Sequence, residues 1–237
     1  MSSTFPIHGG NLSEEAARLG CRKDQLLDAS ASLVPFPITQ SLRECLINAL
    51  DEGALRDYPD RNHWCLRQII GQFHGINPSM ILLGNGAAEL FTWAARDAVE
   101  IGLSALPSPG FADYRRALSC WHGNYFAEPL PLSWSSNSPQ SFPLRPSSEV
   151  IWITNPHNPT GQLWSRESLE PLLKEYKYVV CDEAFLPLVP HGEQESLVPL
   201  VGDYPNLVVI RSLTKLFALA GLRLGYAVSH SQRLKRW

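Results

Sequence analysis

Hydrophobic residues recur along the chain in two different patterns. Between residues 41 and 51 they have the three- and four-residue spacing of an amphipathic helix. Elsewhere they form short runs rich in Val, Ile and Leu, which are typical of buried strands. These patterns predict helices near 13–20, 41–51, 61–74, 111–120 and 166–174, a helix that begins after residue 86, and strands near 80–83, 102–106, 124–129, 149–153, 177–181, 207–211 and 224–228.

Strands that alternate with helices predict an α/β fold, because each helix carries the chain back to start a parallel strand. We expect a three-layer sandwich in which helices cover both faces of a mainly parallel, seven-stranded sheet. Ligands are expected at the carboxyl ends of the strands. This domain is expected to occupy residues 41–237, after an irregular N-terminal arm at 1–40. A Ser/Pro-rich loop is expected from 133 to 148.

Composition narrows the class of protein. The 237 residues are 44% hydrophobic and 18% charged, which favours a full core over a disordered chain. A formal net charge of −3 without a large basic cluster argues against nucleic-acid binding, and no apolar run approaches the roughly 18 residues of a membrane span. The five cysteines are scattered, so we expect a cytoplasmic protein with no disulfide framework and no metal site.

The stretch from Val208 to Tyr226 carries the strongest chemical signal. Lys215 lies there among small and apolar residues, where a charged ammonium is costly to bury. A lysine with a lowered pKa is a nucleophilic amine that can form a Schiff base with an aldehyde. Ser212, Thr214 and Arg223 are suited to binding a phosphate. An aldehyde that carries a phosphate is pyridoxal phosphate, and the alternative is an ordinary surface loop.

Other strand ends carry residues that suit such a cofactor. The turn at 84–87 leads from a strand into a helix, whose free N–H groups are a phosphate site. Phe111 offers a flat face for an aromatic ring, and Asn158 lies in a turn made rigid by two Asn-Pro units. Asp182 ends an apolar strand, where a carboxylate needs a cationic partner such as a pyridinium nitrogen. The plainer alternatives are an ordinary turn, a core phenylalanine and two capping residues.

Three motifs are specific in combination: Asn155-Pro156-x-Asn158-Pro159-Thr160-Gly161, Asp182-Glu183-Ala184, and Ser212-x-Thr214-Lys215 with Arg223-x-Gly225-Tyr226. With them the chain resembles the large domain of fold-type I pyridoxal-phosphate enzymes of the class I/II aminotransferase superfamily. The resemblance implies that Lys215 binds the cofactor covalently and later moves a proton. It implies that Asp182 keeps the ring nitrogen protonated, and that Asn158 and Phe111 bond to and stack on the ring. The implied phosphate ligands are Gly86, Ala87, Ser212, Arg223 and, from the second subunit of a homodimer, Tyr58.

Further segments narrow the resemblance: His8-Gly9-Gly10-Asn11, Tyr58-Pro59-Asp60, Gly84-Asn85-Gly86-x-x-Glu89, Pro109-Gly110-Phe111-Ala112-x-Tyr114 and Arg211-Ser212-Leu213-Thr214-Lys215. They are similar to those of the L-threonine-O-3-phosphate decarboxylases of cobalamin biosynthesis. This implies decarboxylation of an amino-acid phosphate to (R)-1-amino-2-propanol phosphate, with His8, Asn11 and Ser32 at the substrate. Histidinol-phosphate aminotransferases are the alternative, and they usually carry Tyr where this chain has Phe185.

The sequence departs from the family pattern in three places. Ser32 stands where asparagine is usual, and Ala87 and Ala88 replace hydroxyl or acidic residues, so that this turn offers a phosphate only backbone N–H groups. We also expect the smaller C-terminal domain of the family, with its carboxylate-binding arginine, to be absent. The 237-residue chain is therefore expected to bind cofactor with weak or absent turnover. A catalytically inactive remnant is the second alternative.

Overall fold

The computed structural model describes residues 9–133 and 138–237. The α-helices in these ranges are α1 (Leu12–Leu19), α2 (Gln40–Asp51), α3 (Trp64–His74), α4 (Ala87–Ile101), α5 (Asp113–Ser119), α6 (Arg166–Leu169), α7 (Leu172–Glu175), α8 (Leu213–Leu216) and α9 (Ser231–Leu234). The strands are β1 (Ile81–Asn85), β2 (Ser104–Ser108), β3 (Tyr125–Pro129), β4 (Val150–Thr154), β5 (Tyr178–Asp182), β6 (Leu207–Ser212) and β7 (Leu224–Ser229). Short 3-10 turns lie at Lys23–Gln25, Pro78–Met80, Leu186–Leu188, Gly192–Glu195, Val198–Leu200 and Ala220–Leu222.

The strands form one seven-stranded sheet in the order β1-β7-β6-β5-β4-β2-β3. The pairs from β6 across to β3 are parallel, whereas β7 is antiparallel to both β1 and β6. The prediction of a mainly parallel sheet is confirmed. Because β7 runs the other way, its first residues lie at the same edge as the last residues of β1 and β6.

Two apolar clusters lie on opposite faces of the sheet, as the alternation of strand side chains requires. On β6, Val208 and Ile210 belong to the cluster that includes α4, α5 and α9. Leu207 and Val209 belong to the other cluster, which includes residues of α3, α6 and α7. Helices therefore cover both faces, and the predicted three-layer sandwich is confirmed.

At two sites the observed helices differ from the predicted bounds, each for a local reason. Helix α3 begins at Trp64 rather than near 61, because the Asp60 carboxylate accepts hydrogen bonds from the backbone nitrogens of Asn62 at 2.9 Å and Trp64 at 2.6 Å. The single helix predicted at 166–174 is two short helices, which separate at Pro171 because proline supplies no backbone N–H.

Two further points concern the predicted Ser/Pro-rich loop and the length of the helices. Of the predicted Ser/Pro-rich loop, residues 134–137 lie outside the described residues. Among the helices of the described ranges, none combines the length and the apolar character needed to cross a membrane.

Candidate active site

Three neighbouring strands end in polar residues at one edge of the sheet. Thr154 ends β4, Asp182 ends β5 and Ser212 ends β6, and Thr154 pairs directly with Asp182. Each follows, at two-residue spacing, the side chains that pack against α4 and α5. All three side chains therefore lie on the face of the sheet that these helices cover.

Asp182 is a buried carboxylate whose two oxygens are both engaged. Its Oδ2 accepts a hydrogen bond from the Tyr114 hydroxyl at 2.6 Å, and its Oδ1 accepts one from the Ala184 nitrogen at 2.9 Å. Burial raises the pKa of Asp182 to about 6, against the two hydrogen bonds and the positive charge of Lys215, which lower it. A buried acid with a perturbed pKa is typical of a functional site.

Lys215 lies in α8, directly after β6, where Ser212 starts the helix by accepting a hydrogen bond from the Thr214 nitrogen at 3.2 Å. Its side chain is half-buried, and its Nζ lies 5.1 Å from the centre of the Phe185 ring. Burial lowers the pKa of Lys215, and Arg223 lowers it further, whereas Asp182 opposes both. A larger fraction of the amine is therefore neutral and nucleophilic than in an exposed lysine.

A row of small residues joins three strands beside Lys215. Gly225 of β7 pairs with Gly84 of β1 and with Ser212 of β6. A Cβ at Gly225 would lie 2.8 Å from the Ala87 nitrogen and 3.1 Å from the Arg211 oxygen, so no side chain fits there. The start of α4 therefore lies close to the end of β6.

An arginine completes this corner. The Arg223 guanidinium lies against Gly86, where an added Cβ would be 2.7 Å from Nη2. Gly86 precedes the 15-residue helix α4 with a φ of 78°, and Arg223 has a left-handed φ of 52°, a conformation that costs a non-glycine residue about 1–2 kcal/mol. The free N–H groups of α4 and the guanidinium together form a site for an anion.

These groups fit pyridoxal phosphate. Lys215 offers an amine for the aldehyde, and Asp182 offers a buried carboxylate for the ring nitrogen. The corner at Gly86 and Arg223 offers the donors that a phosphate needs and has no room for another side chain. The residues that would hold the cofactor thus lie along one edge of the sheet.

The two residues predicted to contact the ring differ in their surroundings. Phe111 is half-buried and packs edge-on against Tyr114, with ring centres 5.6 Å apart, so it lies beside the residue that binds Asp182. Asn158 is half-buried in the turn after β4, and its amide makes no hydrogen bond within the described ranges. Their roles toward the ring stay predictions.

Within the described ranges, the remaining predicted residues Tyr58, Ser32 and Asn11 make no hydrogen bond to this edge of the sheet. Tyr58 is fully exposed, and Ser32 is exposed in the arm. Asn11 begins α1, where its side chain accepts a hydrogen bond from the Glu14 nitrogen at 3.4 Å. His8 lies outside the described residues.

Sequence reasoning missed Tyr114 and Thr154 as parts of the site. The Tyr114 hydroxyl lies 2.6 Å from Asp182 and 2.8 Å from the Thr154 hydroxyl, and the tyrosine is buried. The position of Thr154 could have indicated its role, since it follows an apolar strand just as Asp182 does. Tyr114 gave no such signal, because an aromatic residue in an apolar helix is normally part of the core.

A second polar cluster that sequence reasoning missed lies behind the site, on the other face of the sheet. Arg211 and Glu183 form an ion pair of 2.7 Å between buried side chains. Glu193 binds the same guanidinium at 2.7 Å, and Ser196 lies 2.8 Å from both members of the buried pair. Arg211 precedes the last residue of β6 and Glu183 follows the last residue of β5, so the pair joins the two strand ends.

A half-buried lysine, a buried aspartate and an anion site at the carboxyl edge of an α/β sheet are the groups that a pyridoxal-phosphate enzyme requires. More specifically, the chain belongs to the aminotransferase class I and II family, which residues 24–237 match. The recognition of this family from sequence motifs is confirmed. Pyridoxal phosphate is the cofactor that this family indicates, as predicted.

Relatives of two kinds are similar to the chain. Threonine-phosphate decarboxylase of Salmonella typhimurium is 35% identical over 94% of the chain and 61% of its own length. Histidinol-phosphate aminotransferase 2 of Haemophilus influenzae is 31% identical over 98% of the chain and 64% of its own length. The chain thus spans less than two thirds of the length of these relatives, one of which is named a decarboxylase and the other an aminotransferase.

A solved structure supports the fold. Histidinol-phosphate aminotransferase from Sinorhizobium meliloti, in complex with pyridoxal-5'-phosphate, matches with a TM-score of 0.80 and 20% identity, over 100% of this chain and 65% of that chain. Within residues 9–133 and 138–237, no group of three or more His, Cys, Asp or Glu side chains is placed to hold a metal ion.

Proposed function

We propose that residues 41–237 form the cofactor-binding domain of a pyridoxal-phosphate enzyme that decarboxylates L-threonine O-3-phosphate to (R)-1-amino-2-propanol phosphate, a step of cobalamin biosynthesis. The observation that carries the proposal is the pairing of Lys215 and Asp182 at one edge of the sheet. Burial shifts the pKa of Lys215 down and the pKa of Asp182 up, so a nucleophilic amine and a carboxylate that needs a cationic partner lie together.

The residues of the site have separate tasks. Lys215 would bind the cofactor aldehyde through its neutral amine, and its amine, when free, would move the proton that product formation requires. Asp182 would keep the ring nitrogen protonated, and Arg223, Ser212 and the start of α4 would bind the phosphate. When bound, the cofactor would supply an electron sink for the bond that breaks at the substrate Cα.

We assign to the N-terminal arm the choice of which bond at the substrate Cα breaks. The Gly10 nitrogen donates to Ser30 Oγ at 2.9 Å, and the Ser30 hydroxyl donates to the Asp28 carboxylate at 2.6 Å. These contacts hold the segment of Gly10 and Asn11 against the segment of Ser30, which leads to Ser32. We assign to His8, Asn11 and Ser32 the orientation of the substrate carboxylate, since binding energy spent on orientation selects the reaction.

Amino transfer to a keto acid is the second candidate, and it is supported by the 31% identity of the Haemophilus relative over 98% of the chain. Phe185 weighs against this candidate, because its ring, 5.1 Å from Lys215 Nζ, cannot donate the hydrogen bond of the tyrosine usual at this position in histidinol-phosphate aminotransferases.

The two reactions are separated by their products. The chain, completed with the C-terminal domain of its family, is incubated with threonine phosphate labelled in its carboxylate, and released carbon dioxide is counted. Parallel samples that contain 2-oxoglutarate with either threonine phosphate or histidinol phosphate are assayed for glutamate. Lys215→Ala gives the background. Carbon dioxide above that background with little glutamate is the expected result. Dominant glutamate formation with histidinol phosphate as donor would refute decarboxylation and favour the aminotransferase.

We further propose a homodimer. Helix α3 exposes Ile69 and Phe73, which are 62% and 70% accessible and, four residues apart, lie on one side of the helix, as exposed apolar residues of an interaction surface do. Tyr58, just before this helix, is fully exposed, as a residue that reaches another subunit would be in one chain. Light scattering should give twice the chain mass, and Ile69→Glu with Phe73→Glu should give the monomer mass. A monomeric parent protein would contradict this proposal.

The five cysteines are free thiols, which supports the proposed cytoplasmic location.

A further inference from the structure

Behind Asp182 lies a chain of two hydroxyl groups. The Tyr114 hydroxyl is 2.6 Å from Asp182 Oδ2 and 2.8 Å from Thr154 Oγ1. All three residues are buried. They belong to α5, β4 and β5, so one line of hydrogen bonds crosses from the helical layer to two adjacent strand ends.

The direction of these hydrogen bonds follows from the chemistry of the three groups. An ionised carboxylate only accepts, and a tyrosine hydroxyl has one proton to donate. Burial, followed by the charge of Asp182, raises the pKa of Tyr114 well above its ordinary value, so that proton is present. Tyr114 therefore donates to Asp182 and accepts from Thr154, which gives the order Thr154 to Tyr114 to Asp182.

Tyr114 has little freedom to leave this arrangement. Its ring packs edge-on against Phe91, with centres 5.1 Å apart, and lies tilted against Trp152 at 5.2 Å. A side chain surrounded in this way keeps its rotamer. The hydroxyl is consequently a fixed donor rather than a mobile one.

The charged neighbours of Asp182 are few. Lys215 on α8 acts on it from the site, and Glu183 acts from its own chain. The Glu183 side chain is paired with Arg211 on the other face of the sheet. Tyr114 is thus the neutral group that contacts the carboxylate most closely from the helical layer.

We propose that Tyr114 is a positioning residue, whose hydroxyl, oriented by Thr154, holds the Asp182 carboxylate ionised and aimed so that it can receive a protonated ring nitrogen. The role rests on the proposed function, because it acts through Asp182 on the cofactor. The bond is charge-assisted and preorganised, and such bonds are about twice as strong as neutral ones. Without it, only the Ala184 nitrogen and the charge of Lys215 would offset the cost of burying the ionised carboxylate.

The test is a titration of Asp182 in the cofactor-free protein. The protein carries ¹³C at aspartate carboxyl groups, Asp182→Asn identifies the resonance, and its pH midpoint is compared between the parent and Tyr114→Phe. Loss of the donor is expected to raise the midpoint by about one unit, which is the size of one charge-assisted hydrogen bond. Thr154→Val is expected to raise it in the same direction but by less.

The matched control is Tyr178→Phe. Tyr178 is fully buried at the other end of the strand that Asp182 ends, and the cation beside it is Arg233, 4.3 Å from the centre of its ring. Removal of the Tyr178 hydroxyl should leave the midpoint unchanged. An unchanged midpoint in Tyr114→Phe, or equal shifts in Tyr114→Phe and Tyr178→Phe, would overturn the inference. If Tyr114→Phe fails to fold, Thr154→Val takes its place, and the absence of a shift there has the same meaning.

A second readout uses the cofactor. With ¹⁵N-labelled pyridoxal phosphate bound, the ring-nitrogen resonance should indicate protonation up to a higher pH in the parent than in Tyr114→Phe, and identical profiles would contradict the inference. A protein that takes up no pyridoxal phosphate would refute the proposed function, and the titration of Asp182 would still decide the role of Tyr114.

Discussion

The stability of the fold favours a protonated Asp182 carboxyl, whereas the proposed chemistry requires an ionised one. Its pKa is about 6 in the folded protein against 3.8 for the unperturbed group. Between these two values the folded protein holds a proton that the unfolded chain has released. Raising the pH through this window therefore lowers the free energy of unfolding, by about 3 kcal/mol for a shift of about two units. The loss persists at higher pH, so the ionised carboxylate is retained at a cost to the fold.

Replacing this residue should separate the two requirements. We expect cofactor-free Asp182→Asn to be more stable than the parent at pH 8, by up to about 3 kcal/mol, because an amide carries no buried charge. The gain should disappear below pH 4, where the parent carboxyl is protonated. Urea denaturation at both pH values measures this. Turnover should be lost, because an amide cannot stabilise a pyridinium. A variant that keeps most activity would refute the role of Asp182 at the ring nitrogen.

From the sequence, the charged residues that lie in apolar stretches could be predicted as parts of the site. Lys215 and Asp182 stand out in sequence because burying a charge is costly, and the structure brings them together at one edge. Tyr114 and the ion pair of Arg211 with Glu183 could not be found in this way. A tyrosine resembles core, and the partners of a buried arginine depend on which strands are neighbours.

At the scale of elements, the reversal of β7 is what brings Arg223 to the site. Since β7 is antiparallel to β1 and β6, the residues before it lie where those strands end. The sequence predicted each strand to within two residues of its observed bounds. It did not predict which strand is reversed, because strand direction depends on tertiary pairing rather than on local pattern.

The close contact at Gly225 should be sensitive to a single methyl group. Gly225→Ala places a Cβ 2.8 Å from the Ala87 nitrogen, and backbone cannot yield as a side-chain end does. We expect a loss of about 1–3 kcal/mol of stability and weaker cofactor binding, since the start of α4 would be displaced. Gly202→Ala is the control, because nothing lies within 4 Å of the added Cβ. Thermal denaturation and cofactor titration that do not distinguish the two variants would contradict this account.

The ion pair of Arg211 and Glu183 joins the ends of β5 and β6 beneath the site. Arg211→Met leaves a buried carboxylate without its cation, and we expect a loss of about 3–5 kcal/mol in urea denaturation. Arg115→Met is the matched control, because Arg115 is exposed and has no ion pair within the described parts of the chain. The double variant Arg211→Met/Glu183→Leu should recover most of the loss. A double variant as unstable as the single one would contradict this assignment.

Across the whole molecule, the assigned residues fall into two groups. Lys215, Asp182 and Arg223 lie at one edge of the sheet. Tyr58 and Ser32 are exposed, so their assigned roles require surfaces beyond the described fold, of which a second subunit is the one proposed for Tyr58. Sequence could assign these residues through family motifs alone, because no local pattern relates an exposed arm to a distant site.

The most direct test of the account is the chemical identity of the group that binds the cofactor. The protein is mixed with pyridoxal phosphate, its absorbance spectrum is recorded, and borohydride is added to reduce any Schiff base to a stable amine. Peptide mass spectrometry then locates the label, with Lys215→Ala and Lys174→Ala treated in parallel. The account predicts a yellow protein, loss of the visible absorbance on reduction, and a label on Lys215 that is absent only from Lys215→Ala. A colourless protein at high cofactor concentration, or a label on another lysine, would contradict it.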